Sequence, residues 1–142
     1  MSDGISIDTS SFAKFARDLA RVDLALKAEM RKEMKAAGEI VATEARARAG
    51  FSTRIPGSIK VGVAGNKIRV YAQAKKAPEA KPLENGGQDG TFRHPVFGDR
   101  QNWVSQPARP FLRPALEANG AAAVAAAKRA VETALREVRS HG

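Results

Sequence analysis

The sequence predicts an α+β fold, with long helical segments at both ends and a small antiparallel β element between them. Three observations carry this. Apolar residues recur at steps of three and four over 12–41 and again over 112–138, the period of one helix face. Between these runs, 58–63 and 67–72 alternate polar and apolar side chains around a Gly-Asn turn, the period of a strand hairpin. With 142 residues and no Cys, the chain suits one modest core and no disulfide scaffold, so it reads as a single domain, 1–142.

The first part, 1–50, reads as helical. Ser10-Ser11 offers an N-cap, and Phe12, Phe15, Leu19, Val22, Leu26, Met30, Met34, Ala37 and Val41 then form one stripe. Gly50 offers a left-handed cap at the far end. Unbroken, such a helix would be about 60 Å long at the usual rise per residue. A break at Val22-Asp23, with Asp23 capping a second helix, is the alternative. A stripe that long must either fold back on itself or pack on something else, a neighbouring subunit included.

The middle, 51–110, reads as a turn (FSTRIPG), a hairpin and a basic loop region. One hairpin face carries Ile59, Val61, Val63, Ile68 and Val70; the other carries Lys60, Lys67, Arg69 and Tyr71. A lone hairpin is marginal in water, so a helix or a third strand should cover the apolar face. The stretch 93–116 holds four of the seven Pro and the single Trp, and its lack of period predicts a shaped, Pro-stiffened loop. The last part, 111–142, reads as one helix with the stripe Leu112, Leu116, Gly120, Val124, Ala127, Val131, Leu135 and Val138. Pro114 fits its first turn, and Gly120 on the stripe predicts a close backbone approach.

The net charge of +9 is concentrated: residues 51–113 hold 11 basic and 4 acidic side chains, net +7, while the flanks are nearly balanced. Lys60, Lys67, Arg69, Lys75, Lys76 and Lys81 form a candidate basic surface for an anionic partner. One Tyr is a poor stacking platform, and no nucleic-acid-binding signature is present, so non-specific contact with DNA is the nucleic-acid role that remains. Catalytic residues, cofactor sites and metal ligands are not indicated. His94 and His141 are the only His, no spacing ties His94 to Glu84 or Asp99 as an acid–base pair, and no phosphate loop or nucleophile motif appears. No window has the length of a membrane span or a signal peptide's apolar core. Arg100, Trp103, Phe111 and Arg113 are residue types enriched at interface centres. Phe111, beside a helix start, reads better as core. Trp103 either plugs the core or docks a partner, and the charges around it favour docking. The candidate interface is Arg93, His94, Phe97, Arg100, Trp103 and Arg109.

The order of these pieces resembles a known family. A long N-terminal helical segment leads to Gly57-Ser58-Ile59 and a hairpin, then to Leu83-Glu84-Asn85-Gly86-Gly87. Ala108-Arg109-Pro110-Phe111-Leu112-Arg113-Pro114-Ala115-Leu116 then opens the terminal helix. This resembles the tail-completion and head–tail joining (neck) proteins of long-tailed, non-contractile bacteriophages, the lambdoid minor tail component group. The Pro-rich central segment looks like the version in phages and prophages of actinobacteria. Gly87 stands where the family's Glu-x-Gly-Thr has Thr. The resemblance covers essentially the whole chain and implies a non-enzymatic α+β virion subunit, found in the neck and, during assembly, in the host cytoplasm. Its implied partners are other neck and tail proteins: the connector or stopper ring, the tail tube or the terminator. In the virion it would form a homo-oligomeric ring, commonly a hexamer, that completes or terminates the tail and joins it to the head. Alone it would be a monomer or a weak oligomer. A basic nucleic-acid-binding module is the alternative function.

Overall fold

The computed structural model describes residues 4–8, 24–64, 67–86, 91–96 and 99–141. Two long helices, α1 (Leu24–Arg48) and α4 (Leu112–His141), pack on each other and together cover one face of a three-stranded antiparallel sheet. The sheet consists of β1 (Ile5–Ile7), β2 (Ile59–Ala64), entered through the one-turn helix α2 (Ile55–Ser58), and β3 (Lys67–Ala72), in the order β1-β3-β2. The hairpin thus gains both of the supports it needs. The third strand comes from the N-terminal region read above as wholly helical. Ile5 and Ile7 take the same face as Val70 and Ile68, their register partners, so even three residues extend the apolar surface by a strand.

The α1 stripe is confirmed from Met30 onward: Met30, Met34, Ala37 and Val41 are buried, and Ala45, not expected, extends the row. Ser10-Ser11, Phe12 to Val22 and the possible break at Asp23 lie outside the described residues. Gly50 is not a left-handed cap. Its N–H donates to the Ala47 carbonyl (3.2 Å) and Ser52 N–H to that of Ala49 (3.0 Å), so the helix ends by tightening its last turn. The expected close approach at Gly120 is also absent, since a Cβ there would touch only Leu116 of its own helix. The tight contact is at Gly38 instead. A Cβ at Gly38 would lie 2.5 Å from Val61 Cγ1 and 2.7 Å from Ile68 Cγ2, so glycine lets α1 settle onto the sheet.

Two arginines of α1 finish the β2 edge of the sheet. The Ser58 carbonyl accepts from Gln73 N–H, so by alternation the Ile59 and Val63 carbonyls point away from β3. Arg46 Nη2 donates to the first (3.0 Å) and Arg31 Nη2 to the second (2.8 Å). Cationic side chains on a strand's outward carbonyls block pairing with another chain at that edge. The C-terminal helix runs unbroken through Gly120, as expected, and buries Leu112, Ala115, Ala123, Ala127 and Val131.

Candidate docking arm

The Pro-rich segment is not a loop. It forms a second antiparallel ribbon, β4 (Thr91–Val96) and β5 (Asp99–Pro107), with a register irregularity between Pro95 and Val96. Each strand of a two-stranded ribbon keeps one open side, and open edges are where strands tolerate Pro. Alternation is missing because the ribbon leans on no core and so has no face to keep apolar. Its strands pack chiefly on each other. It is an arm.

The arm leaves the domain at a fixed base. The short helix α3 (Ala80–Asn85) ends at Gly86, whose φ of 62° is the one left-handed glycine among the described residues. Glu84, near its end, turns its buried carboxylate onto the first turn of α4. Oε1 accepts from the N–H groups of Phe111 (2.9 Å) and Leu112 (2.7 Å), and Oε2 from that of Arg113 (3.1 Å). Those amides are orphans at any helix start, and a carboxylate there also meets the positive end of the helix dipole. The Leu83 carbonyl accepts from Arg109 N–H (2.7 Å), and the Arg109 guanidinium lies 4.0 Å from the Phe51 ring centroid. Parts of two of the segments behind the family resemblance, Leu83–Gly86 and Arg109–Arg113, are therefore one physical unit. Glu84 is committed as a cap and not as an acid–base partner for His94. The sequence signal was present, in a Glu before a Gly and a helix start without its own Ser, Thr, Asp or Asn, but the partners are 27 to 29 residues apart.

Farther out, Trp103 is 46% exposed, and Val104, Arg93, Arg100 and Ser105 are exposed as well. In the register Pro95 faces Trp103 and Arg93 faces Ser105, so Arg93, Trp103 and Ser105 share one face, while Val104, paired with His94, takes the other. Trp103 Nε1 donates to the Arg100 carbonyl (2.6 Å), and the Arg93 guanidinium sits 5.8 Å from the ring centroid. The indole N–H is thus satisfied within the arm, and what it presents outward is an apolar ring beside cations. This makes a preorganised anchor.

Of the six interface candidates, the structure groups Arg93, Arg100 and Trp103 near the arm's outer part. It assigns Arg109 to the base and His94 to a backbone register with Val104; Phe97 lies outside the described residues. Phe111 is fully buried, the core role expected of it. The basic candidates separate too. Lys60, Lys67 and Arg69 project from the sheet face away from the helices, with Arg69 stacked 4.8 Å from the Tyr71 centroid. Lys75 and Lys76 are exposed in the turn after β3, and Lys81 is exposed on α3. Among the described residues no group of three or more His, Cys, Asp or Glu could hold a metal, and no helix is long and apolar enough to cross a membrane. No family model, curated protein or solved structure matches the chain.

Proposed function

We propose that this chain is a structural virion subunit of a phage neck, which completes or terminates the tail and joins it to the head as part of a ring. The observation that supports it is the arm. An exposed Trp with flanking arginines, held clear of the core on a capped base, is built to be covered by another protein. The Glu84 carboxylate is spent on a helix cap, which fits a structural role. The partners under this reading are further copies of the chain and the adjoining neck or tail proteins. Its place is the host cytoplasm during assembly and the virion afterwards.

The test is Trp103→Ala in the phage or prophage that encodes the chain. The variant subunit should melt like wild type, while particles should accumulate as separate heads and tails in electron micrographs. Normal yields of joined, infectious particles would overturn the reading.

A second reading rests on Lys60, Lys67 and Arg69 sharing the open sheet face: a basic module that binds nucleic acid. Phosphate contacts would weaken steeply with salt, because each neutralised phosphate releases counterion. Nanomolar binding of duplex DNA at physiological salt would put this reading first.

A further inference from the structure

We infer that the Trp103 face of the arm docks into the groove between α1 and α4 of a second copy of this chain; this rests on the neck-subunit reading and names one of its interfaces. The groove is open to solvent and offers about 500 Å³, ample room for an indole. Buried Ala37 and Ala134 line it with half-buried Ile40. Glu29 and Glu33 stand exposed on the α1 side, and Arg129 on the α4 side.

Charge chooses the occupant and its orientation. Neither Glu29 nor Glu33 takes part in an ion pair among the described residues. Arg93, whose guanidinium lies near the Trp103 ring, and Arg100, whose carbonyl accepts from the indole N–H, likewise have no acidic partner there. An indole seated over Ala37 and Ile40, with its arginines along the α1 side, would pair both sets and keep them away from Arg129. Among the described residues of one chain, Trp103 is exposed and the groove is open.

Arm and groove are different patches of the same surface. A contact between them is heterologous, so it can be repeated from copy to copy and closes into a ring when the rotation permits. Arg31 and Arg46 occupy the outward carbonyls of β2, so this edge is closed to strand addition from another copy.

The absence of Cys permits a direct test with the full chain. Ser105→Cys marks the Trp103 face and Ala36→Cys the groove; both positions are exposed. A short bis-maleimide should join the two single variants into 1:1 heterodimers when mixed, and leave each alone monomeric. The double variant should give a ladder of multimers. Adding Trp103→Ala should cut the cross-linking rate about thirtyfold, as expected for losing a central anchor. Homodimers from either single variant at the mixed rate, an internal link only in the double variant, or no product at all would each overturn the inference. A ladder from a chain that particles do not contain would refute the neck reading alone. A neck protein that gives no ladder would refute the groove alone.

Discussion

Phe111 and Trp103 lie eight residues apart, and the structure treats them as opposites. Phe111 is fully buried at the junction of α4, α3 and the sheet, under a helix start capped by Glu84. Trp103 stands almost half exposed on a ribbon whose strands pack chiefly on each other. Burial of a large aromatic ring contributes kilocalories to folding. An exposed ring contributes little to folding, which fits the docking role proposed for it.

Substitutions can break or sharpen this contrast. The largest effect belongs to Phe111→Ala, which should cost about 3–5 kcal/mol through lost transfer energy and the cavity left behind. In a domain of this size that removes a large part of the stability, and urea unfolding should show the midpoint collapse. Glu84→Ala comes next, at about 2–4 kcal/mol, since it strips three N–H groups of a charged acceptor where water reaches poorly. Glu84→Gln should recover roughly half of that loss. Its single amide oxygen can serve Phe111 and Leu112 as Oε1 does, but its NH₂ then faces the Arg113 N–H. Equal stability of Ala and Gln variants in thermal melts would show that the cap is not carried by the carboxyl oxygens.

Gly38→Ala sets two effects against each other. Alanine gains about 1 kcal/mol of helix propensity, whereas pushing a methyl group against two branched core side chains costs about 1–3 kcal/mol. The contacts of 2.5 and 2.7 Å are too close for a small adjustment, so the net should be a loss of about 1–2 kcal/mol, measurable by the same denaturation. A stabilised variant would mean that α1 sits farther from the sheet. The smallest effect should be that of Trp103→Ala on the free subunit, within about 0.5 kcal/mol of wild type, as for surface positions generally.

The packed half was largely legible in the sequence, because burial writes periods into it. Met30, Met34, Ala37 and Val41 repeat at helical steps, and Ile59, Val61, Val63, Ile68 and Val70 at strand steps, and all are buried. The arm was not legible as strands, because a ribbon wet on both faces imposes no alternation, and its Pro residues read as loop. β1 was missed because three residues hold too little pattern to be noticed. Long-range partners were the other blind spot. Glu84 looked like a free acid until the fold brought the amides of Phe111 to Arg113 to it. The composition around Trp103, with arginines beside an aromatic ring, was the one local signal that pointed outward, and its exposure agrees with that.

Because the chain has a single Trp, its fluorescence reports on the arm alone. The most direct measurement is acrylamide quenching of that emission, first in dilute subunit and then at concentrations where copies cross-link. The account predicts red-shifted, readily quenched emission from the free subunit, and a blue shift with strong protection on association. Emission already blue and protected in the dilute monomer would place Trp103 in its own core, and an indole still open to quencher in the assembly would leave the arm without a docking role.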